Sequence, residues 1–198
     1  MLRKNIPEKR REQLISAAFE TISEVGLAGV TLSQVAKEAG MSTGIVSHYF
    51  GDKNGLLQAT MRRILRDLHQ ATLACRARAG ADVESQLFAI IDGNFDPSQV
   101  SEISMRAWLD FWAASLHSED LRRLQRINDR RLYSAISCQF QRRLSKPAAR
   151  QAARGLAAMI DGLWLRGSLS GENFDVQQAS AIARDYVRQK LGEVEERA

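Results

Sequence analysis

Leu32-Ser33-Gln34-Val35-Ala36-Lys37-Glu38-Ala39-Gly40-Met41-Ser42-Thr43-Gly44-Ile45-Val46-Ser47-His48-Tyr49-Phe50 reads as two short helices meeting across a tight turn. Thr31 has the character of an N-cap, with Gln34 at the capping-box offset. Leu32, Val35 and Ala36 give the first helix its apolar face before Gly40 stops it. Ser42 caps the second helix, which runs to about Phe50. Such helices cross steeply where the first offers a small residue, the turn tolerates positive φ and the second returns an aliphatic anchor. Ala36, Gly40 and Val46 supply these in order.

Upstream, Leu14, Ala18, Ile22 and Val25 form a stripe of period 3.6, with Ile15 and Phe19 beside it, in a helix that starts after Pro7 and ends at Gly26. Downstream of Gly51-Asp52, a longer helix takes Leu57, Met61, Ile64 and Leu68 on one side. Beyond Gly80 come Leu87, Ile90 and Ile91, a loop around Asp96-Pro97, then Met105, Trp108 and Trp112 at i, i+3, i+7 spacing. Ser118-Glu119-Asp120 opens a helix carrying Leu121, Leu124, Leu132, Ile136 and Phe140. Pro147 opens another to about Ser168, and after Gly171 a last one holds Ala179, Ile182, Tyr186 and Val187. No stretch alternates long enough to be a strand. The pattern predicts an all-α protein of about nine helices. It has an N-terminal three-helix domain that contains the two crossed helices and a larger C-terminal helical bundle.

Composition places the chain in the globular range: 198 residues, 44% apolar, 26% charged, three prolines. The longest apolar stretch, Gly155 to Leu165, is broken by Asp161 and is far short of the ~20 residues of a membrane-spanning helix, so no membrane is expected. The basic start, Arg3, Lys4, Lys9, Arg10 and Arg11, is followed by no apolar core of a secretory signal, and a cytoplasmic protein is expected. Cys75 and Cys138 are single and far apart; they read as buried spectator thiols, with no metal site and no disulfide framework. Of the net charge of +5, residues 1–66 hold +4, ten Lys and Arg against six Asp and Glu. A cationic end of this kind is the footprint of a phosphate-binding surface.

The second helix of the pair turns Thr43, Gly44, Ser47, His48 and Tyr49 away from its anchors, a small polar face suited to a major groove about 12 Å wide. Lys53 follows it, where a cation meets phosphate, and Lys9, Arg10 and Arg11 stand at the entry of the supporting helix. Thr31-Leu32-Ser33-Gln34-Val35-Ala36, Gly40-Met41-Ser42-Thr43-Gly44 and His48-Tyr49-Phe50-Gly51-Asp52-Lys53-Asn54-Gly55-Leu56-Leu57 together resemble the DNA-binding domain of TetR-type transcriptional repressors. The resemblance covers residues 8–68, with the helix-turn-helix at about 31–50. It implies DNA contacts from Thr31, Ser33, Ser42, Thr43, Gly44, Ser47, His48, Tyr49 and Lys53. It also implies a homodimer on palindromic operator DNA, and an effector-binding and dimerisation domain at 69–191 that pairs through its last two long helices. Where many relatives place a tyrosine two residues before the Tyr-Phe pair, this chain has Ser47, so an aromatic-phosphate contact common in the family is missing there.

Further residues narrow the likeness. Gly93-Asn94-Phe95-Asp96, Ala107-Trp108-Leu109-Asp110-Phe111-Trp112 and Ile160-Asp161-Gly162-Leu163-Trp164-Leu165-Arg166 are similar to a choline-responsive branch that represses glycine betaine synthesis genes. That likeness implies choline as effector and no cofactor. Chemistry gives an independent reason: a quaternary ammonium has no N–H to donate and is recognised by aromatic faces within about 6 Å, usually with a carboxylate nearby. Trp108 and Trp112 are one turn apart with Phe111 beside them, Asp161 and Trp164 stand at i, i+3, and Asn94 and Phe95 precede Pro97. The same aromatics at helical spacing also read as core, and Asp161 also reads as a partner for Arg166 or for a second subunit. Asp110 points away from the two tryptophans.

His69 and His117 read as solvated, and the pairs Arg122-Arg123, Arg130-Arg131 and Arg142-Arg143 as exposed faces of a long helix. Gly155, Ala158 and Gly162 let another helix approach closely, in a dimer or within the chain. Two alternatives stand beside the choline-responsive repressor. One is a repressor of the same fold answering to a different small cationic or lipophilic ligand. The other is an all-α enzyme acting on a small amine, for which no HExxH, GxxxxGK, GxGxxG or CxxC sequence speaks and no catalytic residue is nominated.

Overall fold

The computed structural model describes residues 5–170 and 174–195, with side chains over 7–170 and 174–192. Among these, ten helical elements follow one another without a strand: α1 (Asn5–Gly29), α2 (Leu32–Glu38), α3 (Thr43–Phe50), α4 (Lys53–Arg78), α5 (Val83–Asn94), α6 (Pro97–Val100), α7 (Glu102–Ser115), α8 (Glu119–Phe140), α9 (Lys146–Ser170) and α10 (Val176–Glu195). Nine are helices of two or more turns; α6 is a single turn capped by Asp96, in the segment where the sequence suggested a loop. Gly171, expected to end the penultimate helix, lies outside the described residues, as do Arg3 and Lys4.

The chain forms two compact units that are not continuous in sequence. Among the described residues, one comprises residues 5–66 and 103–125, the other residues 67–102, 126–170 and 174–195. In the first, Leu14, Ala18 and Ile22 of α1 are buried with Val35 and Ala36 of α2, Val46 of α3 and Leu56, Met61 and Leu65 of α4. In the second, Leu87, Ile90 and Ile91 of α5, Ile136 and Phe140 of α8, Ala149, Ala153 and Leu156 of α9 and Ala183 and Val187 of α10 form the core.

The closest approaches made through glycine in the second unit are at Gly93, Gly155 and Gly167. A Cβ on Gly93 would sit 2.4 Å from the Thr72 backbone, one on Gly155 2.1 Å from the Tyr186 hydroxyl, and one on Gly167 2.1 Å from the Phe174 ring. Gly155 therefore serves an intrachain neighbour. Gly162 has open space before it.

Several side chains depart from the sequence reading. Cys138 is exposed and Cys75 half-buried, because Ile136, Ser137 and Phe140 take the inward face of α8 and leave Cys138 outside. Ile182, expected in the apolar face of α10, is 44% exposed, since Ala179, Ala183 and Val187 fill that face. Arg122 and Arg142 close backbone rather than stand free: Arg122 donates to the carbonyls of Ser115 and Leu116 at the end of α7, and Arg142 to that of Ala81.

Candidate functional site

The α2–α3 turn is built by local hydrogen bonds. Thr31 and Gln34 form a reciprocal capping box. At the other end of α2, Gly40 adopts φ 63°. Its N–H donates to Lys37 O at 3.1 Å, and that of Met41 to Ala36 O at 2.8 Å, the 5→2 and 6→1 bonds of a Schellman ending. Ser42 then accepts the Ile45 N–H, which leaves Thr43 and Gly44 as the first amides of α3. Ala36, Ala39 and Val46 are all buried, the contact surface that fixes how α3 crosses α2.

From α1, Gln13 donates to the Ala39 carbonyl and the Arg11 guanidinium lies 5.5 Å over the Phe50 ring. Glu12 gathers Arg11, Arg63 and Arg66. At the start of α4, Asp52 accepts the Gly55 N–H. A Cβ on Gly55 would stand 1.9 Å from the Phe50 carbonyl oxygen, so only glycine lets α4 begin this close to the end of α3.

On this head, Thr31, Ser33, Ser42, Thr43, Gly44 and His48 are exposed and Ser47, Tyr49 and Lys53 half-buried. The Tyr49 ring packs edge-on to His48 at 5.5 Å, which leaves the imidazole outermost. Lys53 gives one ammonium proton to the Ala28 carbonyl at 2.7 Å, a tie to the end of α1 that spacing did not suggest. Lys9 and Arg10 are exposed on the same unit. The arrangement is a short helix with a polar outer face, held at both ends and flanked by cations.

The aromatic candidates fall in two groups. On α7, Trp108 stands edge-on to Phe111 at 5.8 Å and tilted to Trp112 at 6.2 Å; Trp108 and Phe111 are buried and Trp112 half-buried. In the second unit, Phe95 is buried with its ring 6.2 Å from Phe174, and Asn94 donates to the Ile90 carbonyl. Trp164 is buried, but Asp161, three residues before it, is exposed, so the i, i+3 pair does not share a surface. Asp161 stands instead on an outer stripe of α9 with Ala158, Leu165 and Leu169. Desolvation by its surroundings, and then the Asp129 carboxylate, push its carboxyl up to about 6.

A separate cavity of about 270 Å³ opens in the second unit among α4, α5 and α8. Its walls carry Leu68, Leu73, Ile90 and Leu132 together with Arg76 and Arg131. His69, read as solvated, is exposed at its edge. Sequence periodicity had no means of finding this space, because α8 closes it from more than thirty residues beyond the consecutive pair α4 and α5.

Both parts of the chain have counterparts among known proteins. Residues 14–60 match the bacterial regulatory proteins of the tetR family, and residues 83–192, more than half the chain, match the BetI-type transcriptional repressor C-terminal domain. The chain belongs to the BetI-type TetR-family repressors. It is 57% identical over 187 residues to the HTH-type transcriptional regulator BetI of Stenotrophomonas maltophilia, covering 94% of this chain and 95% of that one. It is 55% identical over 182 residues to BetI 1 of Chromohalobacter salexigens, covering 92% and 90%.

Solved structures share the family's fold. A TetR transcription regulator from Haloarcula marismortui superposes with a TM-score of 0.81 at 21% identity, over 90% of this chain and 96% of that one. A transcriptional regulator from Saccharomonospora viridis, solved in complex with choline, gives 0.80 at 20% identity, over 91% and 96%. As a TetR-family regulator the chain is a DNA-binding repressor and not an enzyme, and regulators of this family dimerise. Among the described residues no helix is long and apolar enough to cross a membrane.

Proposed function

We propose that this repressor controls choline-to-glycine betaine synthesis and uptake genes, with choline as the effector that modulates its grip on palindromic operator DNA. The observation that carries the DNA reading is the α2–α3 unit, whose buried anchors leave Ser42, Thr43, Gly44, Ser47 and His48 on its outward side. Thr31, Ser33, Tyr49 and Lys53 complete the contact set. Residues 8–68 act as the reading domain and 69–191 as the effector and dimerisation domain, in a cytoplasmic, nucleoid-associated protein without a cofactor.

Pairing through α9 and α10 is supported by Leu165, Leu169 and Ile182, exposed at 37%, 72% and 44% on those two helices. Apolar side chains of this size, where they gather into one patch, mark a surface that a partner covers. A two-fold dimer then sets its reading helices on successive major-groove faces about 34–36 Å apart, and ligand biases it toward an arrangement that fits less well.

For choline, the support is the branch of relatives, the choline complex of the Saccharomonospora regulator and the ring cluster of Trp108, Phe111 and Trp112. Asn94, Phe95, Asp161 and Trp164 are the further candidates. Calorimetric titration with choline, with glycine betaine as comparison, tests the reading: saturable choline binding that Trp108→Ala abolishes supports it. Absence of heat and of any change in operator affinity sinks it.

A second reading keeps the repressor and changes the ligand. The cavity of Leu68, Leu73, Ile90, Leu132, Arg76 and Arg131 offers apolar walls and positive charge, poorly matched to a quaternary ammonium and better to another lipophilic ligand. Leu132→Arg at that wall would block such a ligand and leave choline binding intact.

A further inference from the structure

The helix α1 is opened one turn from its end. Gly26 takes φ 75° and ψ 164°, outside any helical conformation, so the regular i→i−4 pattern breaks where the chain turns toward α2. In a continuous helix the Leu27 N–H would donate to the Ser23 carbonyl. Here the Leu27 N–H donates to the Asp110 carboxylate at 2.7 Å, and the Ser23 carbonyl accepts from the Arg106 guanidinium at 3.4 Å. Arg106 and Asp110 are i, i+4 on α7, so one face of α7 supplies both a donor and an acceptor to the groups parted by the break. The fit is close: a Cβ on Gly26 would come within 3.1 Å of the same Asp110 oxygen.

We propose that Arg106 and Asp110 are positioning residues for DNA reading: a two-point clamp by which α7 sets the angle at which α1 delivers the chain to the helix-turn-helix. Neither touches DNA. Their effect passes through Leu27 and Val30, both buried, to Thr31, the cap of α2. A charged acceptor on a backbone N–H is a short, strong and directional bond, so small displacements of α7 are delivered to the head rather than absorbed. On the opposite side of the same helix stand Trp108 and Trp112; resting on the effector reading above, the clamp is also the route by which a ligand at those rings alters operator affinity. Reciprocity requires that operator DNA change ligand affinity by the same factor.

The test uses the full-length protein and a duplex selected by the wild type from a random pool. Asp110→Leu removes the acceptor at similar size, Asp110→Asn keeps an oxygen that can accept, and Arg106→Met removes the second point from an exposed position. Amide exchange at Leu27 is expected to rise about tenfold or more in Asp110→Leu and to stay near wild type in Asp110→Asn. Duplex affinity is expected to fall about tenfold in Asp110→Leu and about threefold in Arg106→Met, with recovery in Asp110→Asn. The slope of affinity against salt should not change, since no phosphate contact is lost. Wild-type duplex affinity in both Asp110→Leu and Arg106→Met overturns the clamp. If Asp110→Leu fails to fold, Arg106→Met with unchanged affinity overturns it alone. Choline titration is run in parallel: a wild type that takes up no choline removes the effector reading, while exchange and duplex affinity still decide the clamp.

Discussion

Two glycines four residues apart should respond to alanine with opposite signs. Gly40 holds φ 63° at the end of α2, and nothing lies within 4 Å of a Cβ built on it. The cost of Gly40→Ala is therefore pure backbone, about 1–2 kcal/mol for an L-residue in the left-handed region. Reduced freedom of the unfolded chain offsets about 0.4–1 kcal/mol of it, leaving a net loss near 1 kcal/mol. For a chain of this size that is a fall of about 2–4 °C in Tm. Gly44 sits in the first turn of α3 with ordinary φ, its nearest atom being the Ser42 hydroxyl at 3.9 Å. Gly44→Ala should therefore stabilise by about 0.5–1 kcal/mol. Thermal unfolding at one fixed protomer concentration compares the two, because dimerisation makes Tm depend on concentration. Gly40→Asn, which tolerates the left-handed region, should recover much of the loss. Gly40→Ala and Gly44→Ala shifting Tm in the same direction, or an asparagine as damaging as the alanine, would refute the account of the turn.

Gly55→Ala forces a methyl to 1.9 Å from the Phe50 carbonyl, and since backbone cannot swing aside the loss should reach the upper end of overpacking, about 3 kcal/mol by denaturant unfolding. Gly155→Ala meets the Tyr186 hydroxyl at 2.1 Å; Tyr186→Phe removes that atom, and the double-mutant cycle should show about 1 kcal/mol or more of relief. Asp161 has its pKa raised from 3.8 to about 6 in the fold, so the folded state holds its proton more tightly. Its contribution is greatest below about pH 4, is lost as pH rises to about 6 and is flat above. Asp161→Asn should remove that decline and raise stability at pH 7 by under about 1 kcal/mol, the exposed side chain being screened. With Lys53 in the DNA contact set, Lys53→Ala should lower the salt slope of operator binding by about one; an unchanged slope would show that the Ala28 tie is its whole role.

Much of this protein was legible in the order of its residues, for a definite physical reason. The capping box of Thr31 and Gln34, the helix stop at Gly40, the cap at Ser42 and the apolar stripes of α4 and α8, with that of α1 apart from the exposed Val25, all follow from spacings within about five residues. Spacing alone reports those. The reading head is thus determined by local sequence, down to its anchors Ala36, Gly40 and Val46.

What spacing could not report are the contacts that bring distant segments together. Asp110 points away from Trp108 and Trp112, and that is the direction in which the Leu27 amide lies, 83 residues away in sequence. Glu12 finds Arg63 across 51 residues, Lys53 finds Ala28, and the cavity of the second unit draws its walls from α4, α5 and α8. The same limit explains Cys138, Ile182 and the parting of Asp161 from Trp164: periodicity says that a helix has two faces, but which residues at the margin go inward depends on the volume its neighbours leave. Local hydrogen-bond chemistry is written in adjacent residues, whereas burial and long-range pairing exist only once the helices have packed.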